Sequence, residues 1–186
     1  MTMIGTLLTA LVVSREWERG TMEALMSTPV TITELILGKL IPYFILGMCT
    51  MTICFTITVL LYQVPFRGSF LLLLMVCSIF LISCLAIGLF ISTLAKNQFV
   101  AAQAAMVVAF LPAYMLSGFI FEIASMPSII QWFTLIIPAR YFVSCLQTLF
   151  LVGNAWPLIL YNLVPMTFVA VLFLFLSYNR SKKNLE

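Results

Sequence analysis

Residues 69–95 and 97–121 each run without a single charged side chain, and no other feature of this 186-residue chain constrains its fold so tightly. A helix rises about 1.5 Å per residue, so roughly 20 residues cross the hydrocarbon core of a bilayer, and both runs exceed that length. They specify membrane spans. The composition agrees: 63% of residues are hydrophobic and 8% charged, against the roughly 25% charged residues of a soluble domain.

What the chain lacks narrows its chemistry. It has no His and no Asp, which removes the HExxH metal site, the Ser-His dyad and the paired aspartates of an intramembrane protease. Gly38-Lys39 is followed by Leu40 rather than Ser or Thr, so no phosphate-cradling loop is present and any nucleotide energy must come from a partner. The cysteines at 49, 54, 77, 84 and 145 form no CxxC pair. They are expected to be small packing residues rather than metal ligands or a disulfide framework. The net charge of +3 is carried by basic residues scattered singly between apolar runs, a pattern that argues against a nucleic-acid partner.

Along the chain, residues 1–13 are apolar but too short to cross alone. With no basic region ahead of them, they are expected to be the end of a span at a fragment boundary rather than a signal peptide. Residues 14–39 hold the densest charge, Arg15, Glu16, Glu18, Arg19, Glu23, Glu34 and Lys39, and belong in water or at the interface. Thr28 before Pro29 should end a short helix begun near Thr21. Thr31 and Glu34 then form a T-x-x-E capping box that opens a long span over 32–62, with a kink expected at Pro42. Further spans are expected over 69–94, 99–121 and 156–178. Between the last two, Pro127, Pro138, Gly153 and Asn154 break residues 122–155 into pieces too short to cross, which implies two short helices dipping in from one side. The expected fold is thus all-α and polytopic, with about four full transmembrane helices, a partial one at the N-terminus, a short helix in the charged segment and a broken, re-entrant region.

Orientation follows from Lys and Arg in the short loops. Arg15, Arg19, Lys39, Lys96, Arg180, Lys182 and Lys183 fall on one side and Arg67 and Arg140 on the other. This places residues 14–31 and the C-terminus in the cytoplasm and residues 122–155 outside.

The segment Arg15-Glu16-Trp17-Glu18-Arg19-Gly20-Thr21-Met22-Glu23-Ala24-Leu25, followed by the Thr28-Pro29 corner and a long span, closely resembles the cytoplasmic coupling region of ABC-2 type permeases. Leu37-Gly38-Lys39-Leu40-Ile41-Pro42, Met115-Leu116-Ser117-Gly118-Phe119-Ile120-Phe121 and Ile137-Pro138-Ala139-Arg140-Tyr141-Phe142 extend the resemblance over nearly the whole chain, toward the multidrug-exporter-like branch. The resemblance implies a bacterial inner-membrane permease subunit that pairs with a second copy or a paralogue and works with an ATP-binding subunit. It implies further that ATP is bound by that partner, that this chain has no cofactor, metal or catalytic residue of its own, and that an apolar or amphipathic substrate is exported. Family permeases have six spans with a large external domain after the first, so that span and domain are expected to be missing from residues 1–186. On the same grounds Arg15, Glu16, Trp17, Glu18, Arg19, Gly20, Thr21, Glu23, Leu25 and Pro29 are candidate ATPase-coupling residues.

Almost no charges lie at membrane depth, so any pathway is expected to be mainly apolar. Gln103, Tyr114 and Ser117 are pathway candidates, along with Thr50, Thr52, Thr56 and Thr58, whose hydroxyls more often bond back to their own helix. Gly88 and Gly118 read first as close-packing positions. Glu122, Pro138, Arg140 and Tyr141 are external gate candidates, against simpler roles as an interfacial carboxylate and anchors. A non-transporting membrane scaffold, sensor or degenerate permease fragment is the rival reading; an intramembrane enzyme is the weaker one.

Overall fold

A computed structural model describes residues 2–20, 32–95, 97–118 and 123–183. Every element among them is helical. A π-helical turn, Met3–Leu7, leads into α1 (Leu8–Glu18); α2 spans Ile32–Leu60 and α3 Phe70–Leu94. Next come α4 (Gln98–Ala105), a π-helical turn over Met106–Phe110 and α5 (Leu111–Met115), which together form one span. A short 3-10 turn, α6 (Ser128–Thr134), α7 (Pro138–Gln147) with its π-helical end Thr148–Val152, and α8 (Trp156–Lys183) complete the chain. Four helices are long and apolar enough to cross a membrane, and α6 and α7 form a pair bent by 84°. The protein is a polytopic all-α membrane protein.

The centre of the fold is α3, the most buried span at 61%. Most of its apolar residues face protein because α1, α2, α7 and α8 pack against it, while Leu71, Met75 and Ile82 stay exposed. One face of the core joins Met51 of α2, Val76, Cys77 and Phe80 of α3, Cys145 of α7 and Ile159 and Met166 of α8. The other joins Ala10 of α1, Ile87 and Ile91 of α3, Ala101 and Ala105 of α4 and Val169 of α8. Small residues set the closest approach. A Cβ on Gly88 would lie 2.6 Å from the Thr6 carbonyl oxygen, so the turn leading into α1 touches α3 backbone to backbone, as expected where van der Waals packing rather than water exclusion holds helices together.

Paired contacts fix the helix directions. Ser83 Oγ donates to the Met166 carbonyl at 3.1 Å and Phe90 packs edge-on against Phe173, so α3 and α8 run the same way. Gly5 lies against Cys84 and Ala10 in the cluster with Ile91 and Ala95; α1 therefore also runs with α3. The end of α1, the start of α2, the end of α3 and the start of α4 consequently meet at one face. At the opposite face the α2–α3 turn is tied to the end of the broken region: Ser69 N donates to Asn154 Oδ1 at 2.7 Å and Arg67 Nη1 to the Leu151 carbonyl at 3.4 Å.

Several boundaries differ from the sequence expectation, each for a local reason. Residues 14–18 do not begin a separate aqueous segment but continue α1: Ser14 is buried, with its hydroxyl bonded to the Ala10 carbonyl at 2.6 Å. The 32–62 span stops at Leu60, and Gln63 takes a left-handed φ of 49° in the turn that follows. The 99–121 span starts at Gln98, because Asn97 caps it, and ends at Met115, with Gly118 at a φ of 84°. The expected short helix near residues 21–27, the Thr31 cap and residues 119–122 lie outside the described residues.

Candidate functional site

At the face where α1, α2 and α4 meet, α1 ends in charged residues and turns away at Gly20. The Arg19 N–H closes the last helical bond, to the Arg15 carbonyl at 3.1 Å, and Gly20 adopts a φ of 69°. That left-handed conformation is the ordinary way to stop a helix and strongly favours glycine. Glu16 forms a salt bridge with Lys39 on α2, the two side chains being 28% and 13% exposed. Glu18 Oε2 accepts the Gln98 backbone N–H at 3.2 Å, at the start of α4. Asn97 Oδ1 accepts the next two N–H groups of that helix, from Phe99 at 2.8 Å and Val100 at 3.5 Å. First-turn N–H groups have no partner within a helix, and the helix dipole favours a negative charge there. The two glutamates thus join the end of α1 to two further spans.

Arg15 and Arg19 are exposed and lie about one helical turn apart. Of the other candidate coupling residues, Trp17 lies on α1, whereas Thr21, Glu23, Leu25 and Pro29 lie outside the described residues. The resemblance singled out Glu16 and Glu18 but not their partners. Asn97 was readable as a helix cap before an apolar run; Lys39 as the mate of Glu16 was not, because nothing in sequence sets that register.

At the opposite face the external candidates hold the bend between α6 and α7. Pro138 is buried in the first turn of α7, where its missing N–H costs nothing. Arg140 Nη1 donates to Thr134 Oγ1 at 2.5 Å, and the Tyr141 hydroxyl donates to the Leu135 carbonyl at 2.9 Å. Glu122 lies outside the described residues.

Between the faces lie small apolar cavities. One of about 100 Å³ includes Thr6, Cys84, Ala109, Pro138 and Phe173 in its wall. A second, of about 240 Å³, is lined by Phe80, Phe110, Tyr114 and Phe142, and a third, of about 220 Å³, lies along α2 beside Cys54, Phe55 and Phe150. Tyr114 stacks on Phe110, with ring centroids 5.7 Å apart. The three pathway candidates do not converge: Tyr114 lines the second cavity, Gln103 is exposed on α4, and Ser117 is buried beyond the end of α5. Thr50, Thr52, Thr56 and Thr58 each donate to the carbonyl one turn back, at 2.8 to 2.9 Å. Cys77, Cys84 and Cys145 are buried as packing residues, but Cys49 and Cys54 are exposed on α2.

A family model described as ABC-2 type transporter matches residues 1–151. The chain is 55% identical to the probable multidrug ABC transporter permease YbhS of Escherichia coli (strain K12) over 186 residues, which is 100% of this chain and 49% of that protein. It is 32% identical to the probable multidrug ABC transporter permease YbhR of the same organism, over 89% of this chain and 45% of that protein. Against the inner membrane transport permease YhhJ of Shigella flexneri the identity is 29%, over 86% of this chain and 42% of that protein. The chain spans about half the length of the curated relatives it matches. No solved structure matches it.

Proposed function

This chain belongs to the ABC-2 type transporter family, and from that premise we propose that it is a permease subunit of an ATP-driven exporter of the bacterial inner membrane. It works as a pair, with a second copy or a paralogue, and residues 14–31 engage an ATP-binding subunit in the cytoplasm, the side on which the C-terminus also lies. Hydrolysis takes place on that partner. The permease contributes the path and the conformational change, by alternating access or gated extrusion.

The observation that carries this reading is the end of α1, where a charged helix terminus turns at Gly20 and is bonded to α2 through Lys39 and to α4 through Gln98. A push on that terminus reaches three spans at once, which is what a coupling element requires. Cavities walled by Phe, Ile and Ala favour an apolar or amphipathic substrate, and the multidrug permeases it resembles point the same way.

The test is the ATP hydrolysis rate of the ATPase subunit reconstituted with the permease, comparing wild type with Gly20→Pro. Proline holds φ near −65° and cannot take the left-handed value of position 20. Gly20→Pro should insert normally yet no longer stimulate hydrolysis. Unchanged stimulation, or no binding of the ATPase to the wild type, would refute the coupling role and favour a non-transporting scaffold.

A further inference from the structure

The resemblance places all the charges of residues 15–19 at the contact with the ATPase, but the structure divides them. Glu16 and Glu18 are engaged within the chain, by Lys39 and by the Gln98 N–H. Arg15 and Arg19 are exposed.

The Glu18 contact has a mechanical consequence. Gln98 is the first residue of α4, and Asn97 covers the next two N–H groups, so Glu18 and Asn97 together complete one helix cap contributed by two different segments. From that cap a continuous span leads through the Met106–Phe110 turn to Phe110 and Tyr114 in the cavity wall, a rise of roughly 20–25 Å. In the π-helical turn the Leu111 N–H reaches back to the Met106 carbonyl. Such turns interrupt the regular ladder and are frequent at functional sites. One carboxylate beside the Gly20 corner is thereby linked to the wall of a cavity on the far side of that turn.

We infer that Glu18 is a positioning residue, a latch tying the coupling segment to α4, so that displacement at the Gly20 corner moves the Phe110–Tyr114 wall. The Glu16–Lys39 pair carries the same displacement into α2. The inference rests on the proposed role of residues 14–31 and deepens it. The glutamates transmit within the permease, and Arg15 and Arg19 are the charges presented to the ATPase, whose contact surface is accordingly acidic.

The experiment uses the full chain reconstituted in proteoliposomes with its ATPase subunit. A spin label is placed at Phe99→Cys, an exposed position in the first turn of α4, with Cys49 and Cys54 replaced by alanine. ATPase co-purification and the ATP-dependent change at the label are read for Glu18→Ala, Glu18→Gln and the pair Arg15→Glu/Arg19→Glu. Glu18→Ala should leave co-purification intact and shrink the label response by about fivefold or more, the scale of a lost coupling term. Glu18→Gln, which keeps an acceptor oxygen, should retain most of the response, a rescue that a nonspecific loss of structure would not show. Arg15→Glu/Arg19→Glu should abolish co-purification. A full label response in Glu18→Ala would overturn the latch while leaving the coupling segment in place. Loss of co-purification in Glu18→Ala would also overturn it, by making Glu18 a docking residue. If wild type itself binds no ATPase, the proposed function fails and the latch with it.

Discussion

Gly88 and Gly47 look alike in sequence, each a glycine inside an apolar stretch of a span, yet their surroundings differ in a way that decides what a methyl group would do. A Cβ at position 88 would meet the backbone of Thr6, at 2.6 Å from its oxygen and 2.9 Å from its Cα. A Cβ at position 47 would meet the Leu81 methyl ends at 2.5 and 2.8 Å, side-chain atoms that can give more easily than backbone. Gly88→Ala should therefore cost about 1–3 kcal/mol by forcing the Met3–Leu7 turn off α3, and Gly47→Ala less. Thermal unfolding of the purified chain in detergent checks the order; an equal or larger loss for Gly47→Ala would mean that the contact of that turn with α3 is looser than described. The glycine role was legible in sequence only in part. Gly88 packs as expected, whereas Gly118 is needed for its φ of 84°, a property of a helix end that falls earlier than the apolar pattern implies. For Thr50, Thr52, Thr56 and Thr58 the sequence left two roles open, a pathway or a bond to the own helix, and the structure shows the bond.

Prolines were the most informative residues at the scale of elements. Pro127 and Pro138 break residues 122–155 where the structure starts α6 and α7, since a proline fits a helix start without losing a bond; Pro42 and Pro165, by contrast, sit inside α2 and α8 without ending them. The angle between the two helices was not legible, because it depends on side chains that find each other only after the bend exists. Arg140 reaches back to Thr134, and Tyr141 to the carbonyl of Leu135. Arg140→Met should cost about 1 kcal/mol and Thr134→Val more, because it also removes the donation from Thr134 Oγ1 to the Gln131 carbonyl at 2.7 Å; the double variant should cost no more than Thr134→Val alone, since the shared bond is already lost there. Denaturant titrations of the four proteins measure the coupling; additive losses would show that the contact contributes nothing of its own. The π-helical turns escape sequence reading for a related reason. Met106–Phe110 has the same apolar residues as the regular helix around it, and only the bond from Leu111 to Met106 marks the change.

For the whole molecule, the positive-inside count and the helix directions are independent lines that agree. The count uses only which loops hold Lys and Arg; the directions come from contacts such as Ser83 with Met166 and Glu18 with Gln98. Both put residues 15–20 and the end of α8 at one face and Tyr62, Arg67 and Asn154 at the other. What sequence left open is which spans touch, since a helix apolar all round shows no preferred face; the central place of α3 emerges only in the packing. The assignment of faces to compartments is open to direct measurement. With Cys49 and Cys54 replaced by alanine, Tyr62→Cys, 72% exposed in the α2–α3 turn, should react with an impermeant maleimide in intact spheroplasts. Asn179→Cys, exposed near the end of α8, should react only after permeabilisation. The reverse pattern would put Glu16, Glu18 and the arginines beside them outside the cell, where no ATPase subunit could reach them, and the coupling role would fall on topology alone.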